Sequence, residues 1–170
     1  IEDVGLNINV YSSNPNILTV EGDPRVNGKV TITGINAGNA EIIIECKDLN
    51  NSVIVSDAVE FTVIDTIPPM ASVTMESNNK IDNNLATIGD TITIFIETNE
   101  PIQMPSVKIN GKEVVVIQNG DTQHWKAEYI IQSNDREGEI NLTIDMEDLN
   151  GNSVQVTNDE TITIIIPNLI

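Results

Sequence analysis

A chain of 170 residues that is 39% hydrophobic but only 3% aromatic, with Ile and Val prominent, can pack a core and leans toward strand formers, which excludes a disordered tract. Its 8 basic residues stand against 26 acidic ones, and a formal charge of −18 with a pI near 4.1 repels a phosphate backbone, so nucleic acid is excluded as a partner. No run of about eighteen apolar residues occurs, so no membrane-spanning helix is expected, and no basic stretch precedes an apolar one as in a signal peptide.

In chain order, LNINVYSS (6–13), ILTV (17–20), GKVTITGI (28–35), NAEIIIECK (39–47) and SVIVSDAVEFTVI (52–64) supply five or six strands. A full sandwich of the immunoglobulin type has about seven, so the first strand or two of this domain are expected upstream, leaving an open edge for another chain. Cys46 alternates with Ala40, Ile42 and Ile44 on the apolar face of its strand, opposite Glu41, Glu45 and Lys47. It reads as a small core side chain, and with no second cysteine it forms no internal disulfide. DTIPP (65–69) comes next, and its two prolines fix φ and remove two donors, so neither flanking strand crosses it. The domains are therefore set at 1–65 and 66–170, and acidity is spread over both, with net charges of −7 and −11.

In the second domain, ASVTME (71–76) and TITIFIET (91–98) alternate as strands, with the Gly89-Asp90 turn between them. SVKINGKEVVVIQ (106–118) reads as a hairpin closed by Asn110-Gly111, a pair that accepts the positive φ of a tight turn. HWKAEYIIQ (124–132), EINLTIDME (139–147) and SVQVTNDETITIII (153–166) complete about seven strands. The two domains also repeat one another. AEIIIECKDLN (40–50) lies over INLTIDMEDLN (140–150) at an offset of 100, and treating Gly151 as an extra residue moves the offset to 101 beyond it. Thr62 and Ile64 then meet Thr163 and Ile165. The fold class expected is all-β, two tandem immunoglobulin-like antiparallel β-sandwiches.

YSSNPNILTVEGDPRVNGKVTITGINAGNAEIIIECKD resembles the bacterial immunoglobulin-like and cadherin-like repeats of surface proteins, which share an SSNP…VATV…G…ITG…AGTATI pattern. DTIPP…IGDTITIFIETNEPIQMPSVKINGK…HWKAEYII…GEINLTIDMEDLNGN is similar to a second bacterial immunoglobulin-like type. The resemblance implies an exported or cell-surface bacterial protein in which these domains serve as a non-catalytic spacer or adhesion-type module. Partners would be neighbouring repeats of the same chain and a host or cell-wall protein or glycan. The rival reading is a carbohydrate- or protein-binding accessory module of a larger extracellular enzyme.

In such a topology the loops NEPIQMP (99–105) and EDLNGN (147–152) are expected at the end of the second domain nearest the incoming chain. Asp65, Glu100, Glu147, Asp148 and Asn150 would then converge as hard oxygen ligands for calcium. Asp and Asn in turns also accept hydrogen bonds from their own backbone, and this capping role stands beside the metal role.

Catalytic chemistry has little to assemble from. His124 is the only histidine, without the partners of a zinc site or a Ser-His-Asp device, and Trp125 beside it reads as a core anchor. Asp145 and Glu147 form an acid pair on an outward strand face, which offers no pocket to raise a carboxyl pKa. A covalent Lys-Asn crosslink, known in some surface immunoglobulin-like domains, has no recognisable buried triad here. No enzyme is expected.

Overall fold

Alternation of β-branched and polar residues makes strands of nearly every stretch expected to be one. The computed structural model describes residues 6–157 and 161–166, and they form antiparallel β-structure almost throughout. Contacts divide the chain into two units, 1–65 and 66–170.

The first unit comprises β1 (Asn7–Ser12), β2 (Leu18–Glu21), a single helical turn α1 (Pro24–Asn27), β3 (Thr31–Gly34), β4 (Gly38–Lys47) and β5 (Val53–Val63). Asp23 caps α1 by accepting from the Arg25 amide at 2.9 Å, Pro24 supplies a preset φ, and Gly28 ends the turn at φ 71°. The strands form a three-stranded sheet, β1-β4-β5, and a separate hairpin, β2-β3. Register places Ile8, Val10, Ala40, Ile42, Ile44, Cys46, Val55, Val59 and Phe61 on one face of the sheet. The hairpin covers part of it: Leu18, Ala40 and Ile42 are buried, with Val10, Ile17, Val20 and Val63 packed around them. Cys46 is only half-buried on the same face.

The second unit comprises β6 (Ala71–Ser77), β7 (Leu85–Ala86), β8 (Thr91–Thr98), β9 (Ser106–Ile109), β10 (Lys112–Val114), β11 (Val116–Gln118), β12 (His124–Ile130), β13 (Gly138–Glu139), β14 (Leu142–Glu147), β15 (Ser153–Thr157) and β16 (Thr163–Ile164). Two four-stranded sheets, β10-β9-β14-β15 and β11-β12-β8-β6, face each other as a sandwich. A third set, β13-β16-β7, includes a parallel pairing of β16 with β7.

Asn110 and Gly111 both take positive φ, 49° and 79°, which closes the β9-β10 hairpin as the Asn-Gly pair requires. The chain then leaves that sheet at Val115, so the expected continuous strand becomes β10 in one sheet and β11 in the other. The core draws on alternate residues from both layers: Ile92, Ile94 and Ile96 of β8, Trp125 and Ala127 of β12, Val107 and Ile109 of β9, and Leu142, Ile144 and Met146 of β14.

Candidate functional site

The duplicated loop is the most specific feature of the sequence, and its geometry explains why it is written twice. In the second unit Asp148 comes directly after β14 and is fully buried. Its Oδ1 accepts from the backbone amides of Asn150 and Asn152, each at 2.8 Å, and its Oδ2 accepts from the Asn152 side chain at 2.7 Å. The Asp148 amide donates to the Asn152 carbonyl at 3.0 Å, and Gly151 turns the chain at φ 92°. Burial by itself pushes the Asp148 carboxyl up, but the Asn152 side chain and the amides of Asn152, Asn150 and Gly151 more than offset it, leaving the pKa below the usual range.

The first unit builds the same loop. Asp48 Oδ1 accepts from the amides of Asn50 and Ser52 at 2.8 and 2.9 Å, and the Asp48 amide donates to Ser52 at 3.0 Å. Asn51, at φ 65°, stands where Gly151 stands. The offset of 100 therefore holds through the loop, and Gly151 is no insertion. Lys47 pairs with Val53 as Glu147 pairs with Ser153, again at 100. Only then does a register shift in the first unit bring Cys46 opposite Val55, where Met146 meets Val154, and the offset falls to 99. Matching by residue identity misplaced the gap because Asn and Gly, unlike in type, share the left-handed conformation.

Of the residues assigned to calcium, Asp148 and Asn150 share the capped loop. Glu147, exposed at the end of β14, accepts from Gln103 Nε2 at 2.7 Å and from the Ser153 hydroxyl at 3.3 Å. Glu100 is half-buried, and its carbonyl accepts from the Thr98 hydroxyl at 2.7 Å. Asp65 is half-buried and is the last residue of the first unit. The Asp148 carboxylate already receives three donors from its own loop, so its first duty is to hold that loop. Gln103 went unremarked in the sequence: its amide reaches both Glu147 and the Asp148 carbonyl, and its backbone amide donates to the Glu147 carbonyl at 2.9 Å, tying the 99–105 loop to the 147–152 loop. A neutral amide in a turn carries no signal of that role.

Other candidate groups are structural in their surroundings. His124 Nδ1 lies 2.7 Å from Asp121, and that hydrogen bond raises the imidazole pKa while lowering the Asp121 carboxyl. Trp125 is buried, with its indole donating to the Thr122 carbonyl at 3.1 Å. Asp145 is held by Gln155 at 2.6 Å and by the Lys108 ammonium at 3.7 Å. With Glu147, Gln103, Met104 and Ser106 it lines an open depression of about 390 Å³.

One buried acid was missed. Asp135 lies in the loop after β12 and accepts from the Tyr129 hydroxyl at 2.8 Å, from the Gln132 amide at 2.7 Å and from the Lys112 ammonium. Burial pushes its carboxyl up, yet Lys112, Gln132 and Tyr129 together bring it below the ordinary value, and Asp135 in turn raises Lys112. Amide condensation needs a neutral amine and a protonated acid, and both shifts run the other way. The pair is an ion pair, and the partner of Lys112 is a carboxylate, not the Asn of a crosslink. Among the described residues no buried side-chain polar atom lacks a hydrogen-bond partner. Compared with protein-family models and with curated proteins, the chain matches neither any family model nor any curated protein.

Proposed function

We propose that the chain is a non-catalytic spacer or adhesion-type module of an exported or cell-surface bacterial protein. The observation that carries this reading is the repetition of one loop frame, Asp48 to Ser52 and Asp148 to Asn152, with the same cap bonds in both units. Repeating a frame multiplies length and valency, which reach and spacing require and a chemical step does not. The satisfied buried polar groups and the neutralised Asp135 support the same reading, because a catalytic group is ordinarily held ready for a proton or a substrate and not consumed by its neighbours. Glu100 and Asp148 each offer a carboxylate oxygen within 4.8 Å of the other; calcium at Asp65, Glu100, Glu147, Asp148 and Asn150 is not used by this proposal.

Recognition is the second reading, and the open depression beside Asp145 and Glu147 is the feature that favours it. Binding of the labelled chain to arrays of glycans and of cell-wall and extracellular-matrix proteins separates the two. A spacer gives no saturable binding. Saturable binding lost in Gln103→Ala or Asp145→Ala would transfer the function to that face.

A further inference from the structure

Strand β8 turns Ile92, Ile94 and Ile96 into the core, so Thr91, Thr93, Phe95 and Glu97 face outward. A phenylalanine in that outward set is the exception. Of the second unit's aromatic residues, Trp125 belongs to the core and Tyr129 packs against it, whereas Phe95 is half-buried on the opposite face of the same sheet. Register surrounds it with polar side chains. Ser72, Glu97 and His124 form one row across β6, β8 and β12, and Thr74, Phe95 and Lys126 form the next. The Lys126 ammonium stands 5.9 Å from the centre of the Phe95 ring, close enough for a cation-π attraction that steadies it, and is itself held by Glu128 at 2.6 Å.

The ring lines a hollow of about 190 Å³ together with Ser72, Thr74, Glu97, Asn119 and His124. Drug-sized sites begin near ~300 Å³, so this one has room for a single ring. Its polar groups differ from those of the depression beside Asp145 in remaining open. There Gln155 donates to Asp145, and Gln103 and Ser153 donate to Glu147. Here the Ser72 and Thr74 hydroxyls and the Asn119 side chain make no hydrogen bond among the described residues. The Glu97 side chain, 71% exposed, has the His124 ring 3.8 Å away and no closer partner among the described residues.

We propose that this hollow binds a neutral pyranose, stacked by its C–H face on Phe95 and hydrogen-bonded at its rim by Ser72, Asn119 and Glu97. A pyranose is apolar on one face and carries hydroxyls round its edge, each able to donate and to accept. That pattern matches an aromatic ring bordered by hydroxyl, amide and carboxylate groups. Charge selects against an anionic sugar, because Glu97 and Asp121 both lie beside His124 and the chain carries −18. A peptide added as a strand is disfavoured, since β8 is paired on both edges, to β6 and to β12, and offers the hollow no free backbone. The inference rests on the recognition reading and moves it from the Asp145 face to the outer face of the other sheet.

The test is an NMR titration of residues 1–170 with the methyl glycosides of glucose, galactose, mannose, N-acetylglucosamine and glucuronic acid, read at the backbone amides. At least one neutral glycoside is expected to give saturable shifts at Phe95, Glu97 and His124, with the amides of Asp145 and Glu147 unchanged. A single ring on one open face binds weakly, with a dissociation constant of about 1–10 mM. Phe95→Ala weakens binding at least ~10-fold, Asn119→Ala weakens it roughly 2–10-fold, and Phe95→Tyr keeps it. Unchanged amides of Leu142 and Ile144 show that each variant is folded. No saturable shift with any neutral glycoside overturns the proposal, as does an affinity that Phe95→Ala leaves unaltered. Tighter binding of the glucuronide than of the glucoside overturns it as well. Shifts confined to Asp145 and Glu147, or binding to glycan or protein arrays that survives Phe95→Ala, overturn this site and leave the recognition reading standing. Absence of binding to every glycoside and every array removes both.

Discussion

Asp135 is held by neighbours on three sides, and its removal has a measurable cost. Its carboxylate is closed in by Tyr129, Gln132 and Lys112, so Asp135→Ala removes the charged acceptor of two part-buried hydrogen bonds, from the Tyr129 hydroxyl and the Gln132 amide, and is expected to cost the second unit about 1–3 kcal/mol in denaturant unfolding. The pH dependence has a definite sign. The Asp135 pKa is lowered on folding, so its contribution is present above the unfolded value near ~3.9 and is lost as pH falls through the folded value. The Lys112 pKa is raised, so its contribution is present below about 10.4 and lost as pH rises through the folded value. The difference in stability between wild type and Asp135→Asn is therefore level across neutral pH and closes in acid. A difference that widened below about pH 4 would contradict the ion pair. Nothing in the sequence marked this residue: Asp135 sits in QSNDREG, a stretch that reads as an ordinary polar turn, and Lys112 precedes it by 23 positions.

Elements were more legible than single side chains, because strand and turn chemistry are local. TITIFIET becomes β8 with its alternate isoleucines buried, and Asn110-Gly111 closes its hairpin. What local pattern did not carry was the passage of the chain between sheets at Val115, since both halves of KEVVVIQ have equal strand propensity and only packing separates them. The gap placed at Gly151 failed for a related reason, as backbone conformation and not residue type is what the two loops share. Cys46 was placed on the correct face, yet it is half-buried where its equivalent Met146 is 2% exposed, because burial depends on a covering layer that the strand's own pattern does not specify. The register equivalence gives a paired prediction. Ile144→Ala opens a cavity in a closed core and is expected to cost about 2–5 kcal/mol. Ile44→Ala in residues 1–170 trims a side chain already 41% exposed and is expected to cost under about 1 kcal/mol. Equal losses in the two units would refute the contrast between a covered and an uncovered face.

For the whole molecule, the all-β sandwich class was legible from alternation, turn residues and the lack of helical periodicity, and the only helix among the described residues is the turn Pro24–Asn27. Function is less legible for a physical reason. A spacer is selected for stability, solubility and length, and these are distributed over many residues, whereas a catalytic site concentrates its signal in a few. A formal charge of −18 discourages unspecific contact with anionic surfaces without naming a partner. The most direct measurement replaces residues 1–170 in the parent polypeptide with an unrelated pair of β-sandwich domains of the same length and quantifies surface display and adhesion of the cells that carry it. A spacer role predicts both unchanged, because length and fold are what the segment supplies. Loss of adhesion with display intact would show that a specific surface of this chain makes the contact, and would contradict that role.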